Sequence, residues 1–383
     1  MLKRFFGQIK IYAVIMLFYL FRVFPIKKNK IVISNFAGRG YGNEGKQLVE
    51  NLQALNKNLD IVWLCTKKDE KFPKGIRAVK SVSIKSIYEQ ATARVWIDNR
   101  RKDLDVRKRK KQYYVQVWHG SGPCLKYIEA DAADMMTKHY VLSAKNDSKM
   151  ANLMTSGCEW RTELIKRSYW YSGEIFRCDF DKDFSNDEQV QKIRQTVYKY
   201  FNFDPNGKII LYAPTFRNNF NLECYDIDYE KVLQELSDKF GGKWYFIIRL
   251  HPNISHLNDK IKYSSQIING SLYSDVEDLI SCSEYFITDF SGCMFDAYKL
   301  GVKVILYASD FESYVSSERN LYFDLKQLPA EFTDSTDKLI GVMKDFNLDA
   351  YEQKRKELLD LIGYYKQGPI DLAKRINDEI LKS

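Results

Sequence analysis

Tyr113-Tyr114-Val115-Gln116-Val117-Trp118-His119-Gly120-Ser121-Gly122-Pro123 is an apolar run of strand length that breaks into a loop with two glycines and a proline. The same plan recurs at Phe246-Ile247-Ile248-Arg249-Leu250-His251-Pro252 and at Tyr285-Phe286-Ile287-Thr288-Asp289-Phe290-Ser291-Gly292. Short apolar runs of this kind read as strands buried on both faces of a parallel sheet. In doubly wound folds the loops that follow such strands are where ligands sit.

Working outward, further strand-length runs alternate with helical spacing, the pattern of α/β units. Lys30 to Phe36, Asp60 to Cys65, Val95 to Asp98, Tyr113 to Val117 and His139 to Leu142 are the expected strands of a first lobe, with helical stretches such as Gly45 to Leu55 and Ser143 to Thr155 between them. A polar segment from Asp181 to Asn206, ending Asp204-Pro205-Asn206-Gly207, reads as a helix and then a linker. Beyond it come Lys208 to Tyr212, Trp244 to Leu250, Gln266 to Ile268, Tyr285 to Thr288 and Val302 to Leu306, and the charged stretch Leu348 to Leu381 reads as closing helices broken at Gly368-Pro369. A chain of 383 residues is long for one domain,. The expected division is residues 1–29 as a membrane-associating segment, 30–205 as an N-terminal lobe and 206–383 as a C-terminal lobe, two Rossmann-like lobes facing a cleft.

Composition narrows the class. With 45% hydrophobic and 28% charged residues, neither disorder nor a polytopic membrane protein fits,. Seven cysteines are scattered and odd in number, with no C-x-x-C pair, which argues against a disulfide framework or a zinc site and for a reducing compartment,. The net charge of +9 is concentrated in two places. Residues 1–30 carry Lys3, Arg4, Lys10, Arg22, Lys27, Lys28 and Lys30 with no acid, around the apolar stretch Ile11 to Phe21. That stretch falls short of the about 20 apolar residues a spanning helix needs, and no small-residue cleavage site follows it. The expectation is a helix lying in the membrane interface, its cations toward anionic headgroups. The second concentration, Arg94 to Lys111, lacks any nucleic-acid motif or interleaved aromatics, so a solvated loop, or a surface for lipid headgroups or a phosphorylated acceptor, is expected in place of a nucleic-acid partner,.

Gly40-Tyr41-Gly42-Asn43-Glu44-Gly45 matches the dinucleotide fingerprint G-x-G-x-x-G,. The ribose-binding acid expected about 20 residues on is missing, because the second strand ends Leu64-Cys65-Thr66-Lys67. The turn is read as feeding the first helix and bordering an acceptor site.

Of four histidines, His119 and His251 fall at strand ends inside the motif segments, whereas His139 and His256 are read as structural. Imidazole accepts a proton near neutral pH. Gly120 and Gly122 admit backbone amides to an anion, Ser291-Gly292 opens a helix whose N-terminus favours negative charge, Thr288 and Ser291 offer hydroxyls, and Arg249 offers a forked cation. This donor set suits a nucleotide diphosphate. No cluster has metal-ligand spacing, so neither a metal nor any other cofactor is expected.

Trp118-His119-Gly120, Tyr212-Ala213-Pro214-Thr215-Phe216-Arg217, Arg249-Leu250-His251-Pro252 and Thr288-Asp289-Phe290-Ser291 together resemble the CDP-glycerol glycerophosphotransferase family of teichoic acid primases and polymerases. The likeness continues through Phe295-Asp296, Val304-Ile305-Leu306-Tyr307 and Ser317-Glu318-Arg319-Asn320. It implies a GT-B-type transferase, peripheral on the cytoplasmic membrane face, that moves glycerol phosphate from CDP-glycerol to a hydroxyl of a lipid-linked or polymeric cell-wall or capsule acceptor and releases CMP. By motif, His119 resembles the catalytic base, with Gly120, Ser121, Gly122 and Pro123 in its loop. Pro214, Thr215, Arg249, Leu250, His251, Ser291, Gly292 and Asp296 resemble the CDP-glycerol contacts. Two positions depart from the family pattern. Gly173-Glu174-Ile175-Phe176-Arg177-Cys178-Asp179 stands where members carry G-Y-P-R-N-D, leaving Arg177 as the candidate phosphate ligand, and Gly292 stands where a second serine is common. CDP-ribitol as donor, or a GT-B glycosyltransferase using a nucleotide sugar, are the alternatives, and a membrane-bound scaffold is the non-enzymatic one.

Overall fold

The computed structural model describes residues 2–38, 40–66, 72–180, 187–215, 217, 226–251, 254–273, 275–311, 314 and 320–382. Of the residues singled out above, Lys67, Phe216, one of the seven cysteines (Cys224), Pro252 and Ser317 to Arg319 lie outside these, as do residues 181–186 of the expected connecting segment and the side chain of His256. The chain forms two compact units, one of Met1–Gly122, Ile128–Phe180 and Gly363–Ser383, the other of Pro123–Tyr127 and Asp181–Ile362.

The first unit contains α1 (Leu2–Leu20), β1 (Lys27–Ser34), α2 (Asn43–Leu55), β2 (Asp60–Cys65), β3 (Ile76–Lys80), α3 (Ile84–Thr92), β4 (Ala93–Asp98), β5 (Tyr113–Gln116), α4 (Lys138–Met150), β6 (Leu153–Ser156), α5 (Glu159–Ser168) and β7 (Glu174–Arg177). Its strands form one sheet in the order β3-β2-β1-β4-β5-β6-β7, every pairing parallel. Helices cover both faces, so β1 and β2 are buried almost throughout their inner residues, as their Ile/Val-rich sequences require,.

The second unit contains α6 (Asp187–Phe201), β8 (Lys208–Tyr212), α7 (Tyr229–Phe240), β9 (Trp244–Ile248), β10 (Ile267–Asn269), α8 (Val276–Ser281), β11 (Tyr285–Thr288), α9 (Cys293–Lys299), β12 (Lys303–Tyr307), β13 (Glu331–Thr333), α10 (Thr336–Lys344) and α11 (Leu348–Ile362). Its sheet runs β10-β9-β8-β11-β12-β13, again parallel.

The units are not the expected halves. The chain leaves the first unit at Phe180, well before Pro205, and the helix Pro369–Leu381 returns to it. Leu372, Ala373, Ile376 and Ile380 lie on one stripe of that helix and join Leu48, Val49 and Leu52 of α2 in the first unit's core,. Such burial overrides position in the chain. The break at Gly368-Pro369 is as expected, with proline in the first turn and the Gly368 amide donating to Asp371 at 3.1 Å,.

His139 to Leu142, expected as a strand, lies in α4; the strand is Leu153–Ser156, inside what was read as the end of a helix. Four apolar residues do not distinguish strand from helix, and the Thr137 hydroxyl decides by accepting the Tyr140 amide at 3.2 Å as an N-cap,. The short strands β3, β7 and β13 were not anticipated either. Their burial is partial and their sequences are mixed.

Part of the basic stretch Arg94 to Lys111 is turned inward, while Arg100, Lys110 and Lys111 are exposed. Arg101 is buried between Glu129 (2.8 Å) and Asp147 (3.0 Å), and Lys102 is buried against Asp98 at 2.8 Å. Lys108 donates to the Gln112 carbonyl and Asn152, and burial depresses its pKa to about 8. Cations that hold loops to the fold in this way are not a solvated charge patch.

At the N-terminus, Phe18 is buried in a cluster with Val32, Val62, Leu64, Trp96 and Tyr114, with Val14, Leu17 and Phe21 packed at its edge. The opposite stripe of α1 stays open: Ile9, Tyr12, Met16, Tyr19 and Leu20 are exposed, as is Val23 just beyond it. The helix therefore packs on its own unit and also presents an apolar face. Among the described residues no helix is long and apolar enough to cross a membrane.

Candidate active site

Strand order reverses between β1 and β4 in the first sheet and between β8 and β11 in the second. Loops at the carboxyl ends of strands flanking such a reversal are where ligands bind in open α/β sheets. The expected site residues sit at the carboxyl ends of β5, β7, β8, β9 and β11 and in the loops that follow, with Asp296 in the first turn of α9.

In the first unit, His119 follows β5. Its Nδ1 lies 2.9 Å from the main-chain carbonyl of Asn99, which follows β4. A carbonyl only accepts, so Nδ1 carries the proton and Nε2 keeps its lone pair. The imidazole is stacked on Trp118 (4.8 Å between centroids, 19°) and tilted against Phe36 at 5.5 Å. Trp118 holds φ at +56°, an uncommon conformation for a bulky residue, with its amide bound to the Gln116 side chain at 2.9 Å,. On this unusual turn the tryptophan is gripped by Arg101, whose guanidinium lies 5.0 Å above its ring,.

Loss of hydration, only partial because the ring keeps an accessible surface, is the main influence lowering the His119 pKa below 6.5. The positive charges of Arg161, Arg100 and Arg101 act in the same sense, and the hydrogen bond to Asn99 opposes them,. At neutral pH the ring is therefore a neutral imidazole, the form a base requires.

The rest of the loop is tied down more than its glycines suggested. The Gly120 amide, expected to face an anion, donates to Glu44 at 3.1 Å. The Gly122 carbonyl accepts from the buried Arg161 at 2.8 Å, and the Gly120 carbonyl from the same side chain at 3.4 Å. Gly122 is buried, and a Cβ there would lie 2.9 Å from the Tyr364 hydroxyl. Glycine at 122 thus answers to packing, while Gly120, at φ +83° with open space around it, answers to backbone conformation,. Ser121 is buried, donating to Asp179 at 2.8 Å and accepting the Phe180 amide at 3.3 Å. Arg177 ends β7 as an exposed side chain over the Tyr365 ring, 3.5 Å from Glu159, in a hollow lined also by Thr162, Tyr171 and Ile175.

In the second unit, the loops after β8 and β11 are laced together. The Thr215 amide donates to Asp289 at 2.8 Å, and the buried Arg217 binds Asp289 at 2.9 Å and Asp310 at 2.7 Å. Three expected ligands turn out to be committed to this scaffold. The Thr288 hydroxyl is buried and donates to the Ala213 carbonyl at 2.8 Å. Leu250 is a core side chain, its amide donating to Ser271 at 3.1 Å. Arg249 gives Nη1 to the carbonyls of Gly270 and Tyr273. Each of these motif positions thus has a bond within the fold that strand-end placement alone does not reveal.

Pro214 is buried, and Pro123, in the short piece of chain that belongs to this unit, is buried as well. His251 is half-buried, and its carbonyl accepts the Ile254 amide at 2.9 Å. Ser291 is half-buried and accepts the Cys293 amide at 3.4 Å as α9 begins, Gly292 is exposed with room for a Cβ, and Asp296 is half-buried in the first turn of that helix.

Residues 15–382 match the family model described as CDP-Glycerol:Poly(glycerophosphate) glycerophosphotransferase. The chain belongs to that family. Among its relatives, the teichoic acid poly(glycerol phosphate) polymerase of Bacillus subtilis (strain 168) is 24% identical over 86% of this chain and 45% of its own length. The teichoic acid poly(ribitol-phosphate) polymerase of Bacillus spizizenii is 24% identical over 94% of this chain and 58% of its own. The chain thus spans about half the length of these relatives. The structure of the wall teichoic acid polymerase TagF superposes with a TM-score of 0.80 at 22% identity, covering 100% of this chain and 98% of that one, a likeness of fold. The two parallel sheets are the GT-B-like architecture expected.

Several residues with a part in this geometry were not picked out from the sequence: Asn99, Glu44, Arg161 and Asp289. Glu44 had a visible signal, since it lies in the glycine-rich turn after β1. Asp289 had one too, inside the Thr288-Asp289-Phe290-Ser291 motif, whereas Asn99 and Arg161 act through main-chain groups and buried bonds that no spacing rule marks.

Proposed function

We propose that this chain transfers glycerol phosphate from CDP-glycerol to a hydroxyl of a lipid-linked or polymeric acceptor, releasing CMP. The observation that carries this reading is the family match, which runs through both units and takes in every motif. In the reaction, the acceptor oxygen forms a bond to the glycerol-side phosphorus as the phosphorus–oxygen bond to CMP breaks. The hydroxyl proton passes to Nε2 of His119, whose other nitrogen is held by Asn99. Phosphoryl transfer leaves little covalent work for the protein, so positioning dominates, and the bound Trp118–Gly122 loop suits that demand. His251 is assigned to the leaving phosphate, at the end of β9 beside the switch-point loops.

A second donor is favoured by one finding, the ribitol-phosphate polymerase among the relatives. Purified protein, a lipid-linked saccharide acceptor and either CDP-glycerol or CDP-ribitol should give CMP from the former, with a UDP-sugar giving neither product nor thermal protection. CMP from CDP-ribitol alone would replace the donor, and transfer from the UDP-sugar would replace the reaction. In the same assay His251→Ala should raise KM and lower kcat; wild-type values for both would remove it from the site.

The apolar stripe Ile9, Tyr12, Met16, Tyr19 and Leu20, beside the exposed Lys27 and Lys28, supports a peripheral seat on an anionic membrane, with the cytoplasmic face as the side where a nucleotide donor is met,. Tyr12→Ser with Met16→Ser should abolish co-sedimentation with anionic vesicles while the fold persists. Undiminished binding would rule this seat out.

A further inference from the structure

The glycine-rich turn after β1 contains Glu44, in the first turn of α2. One oxygen of its carboxylate accepts the Gly120 amide at 3.1 Å, and the other accepts the Asn99 side-chain amide at 3.0 Å. Asn99 is also the residue whose main-chain carbonyl receives the His119 Nδ1 proton. A single carboxylate therefore grips both the residue that fixes the tautomer of the imidazole and the residue that follows it in the chain. Asn99 is 1% exposed and further locked, donating to Asn35 Oδ1 at 2.6 Å and accepting the Phe36 amide at 2.8 Å. Phe36 in turn packs on the imidazole. The loops after β1, β4 and β5 thereby converge on one ring, with Glu44 as the common acceptor.

We infer that Glu44 is a positioning residue for His119, keeping its imidazole in the Nδ1–H tautomer with the Nε2 lone pair presented to substrate. An ionised carboxylate only accepts, so it can satisfy two converging donors, and both bonds are charge-assisted. Glutamine cannot do this, because one of its two ends is itself a donor and must face another. Histidine free in water favours the Nε2–H tautomer, so a ring released from the Asn99 carbonyl reverts toward a form in which Nε2 carries the proton and has no lone pair to offer. The inference rests on His119 being the base proposed above.

The test uses the full chain labelled with 15N-histidine, whose long-range proton–nitrogen spectrum distinguishes the two tautomers; His119→Asn assigns the signal among four histidines. The wild-type ring should be Nδ1–H. Glu44→Gln should move it toward Nε2–H and lower kcat about tenfold or more, the scale of supporting-residue losses, with KM and the unfolding midpoint little changed. Glu44→Asp, whose shorter arm reaches only one donor, serves if the glutamine variant does not fold. An unchanged tautomer and unchanged kcat in either foldable variant would overturn the inference while leaving His119 as base. Full activity in His119→Asn would instead remove the base assignment, and the tautomer shift would still decide whether Glu44 orients the ring.

Discussion

His119→Ala should slow CMP release by about 10²- to 10⁴-fold, the range of general-base assistance. The variant removes the one side chain whose two nitrogens are given separate tasks, Nδ1 donating to Asn99 and Nε2 keeping a lone pair. Donor affinity should change little, because most of the expected donor contacts, Arg177 apart, lie in the second unit. The loss should therefore fall on kcat. His119→Asn keeps an amide able to donate to the Asn99 carbonyl but has no base, so it should fold as the wild type does and be as slow as alanine. The acid limb of the pH profile follows from the same ring. Its pKa lies below 6.5, so the base is lost only as pH falls through that lowered value. Activity should hold from neutrality down to pH values at which an ordinary histidine is already protonated, and this limb should vanish in the residual rate of the variants. Near wild-type turnover in His119→Ala would refute the mechanism.

Arg101→Met should destabilise the first unit by about 3–5 kcal/mol, the cost of removing one partner from a buried ion pair. Both acids it pairs with, Glu129 and Asp147, are fully buried, and Asp147 also accepts from Tyr114 at 2.8 Å. Methionine fills the volume but leaves two carboxylates facing each other without a cation. Urea unfolding followed by the fluorescence of the buried Trp96 and Trp118 measures the loss. Combining Arg101→Met with Glu129→Gln and Asp147→Asn should restore much of it, since the penalty lies in the stranded charges. A change below about 1 kcal/mol, the scale of a surface pair, would show that this cation is solvated after all. The His119 loop is coupled to the same site, because Arg101 lies over Trp118, which stacks on His119.

Much of this molecule was legible in its sequence because local chemistry and burial agree there. Apolar runs such as the Ile31–Ile33 centre of β1 and Trp244–Ile248 read as strands buried on two faces, and they are. The histidines at the ends of β5 and β9 were placed by the same logic. Four-residue runs failed, as at His139 to Leu142, because a cap on the preceding residue outweighs an apolar pattern too short to have a period.

The sequence by itself determined the α/β plan, the motif loops and the pair of histidines, since each depends on neighbours in the chain. Only the tertiary structure decided that Thr288, Ser121 and Leu250 are scaffold, that Arg101 and Lys102 are interior cations, that the last helix belongs with the first strands, and that Asn99 and Glu44 hold the His119 loop. The hold on the His119 loop turns on which donor meets which acceptor, across 20 positions of chain for His119 and Asn99 and 76 for Gly120 and Glu44. Side-chain type alone cannot specify such encounters.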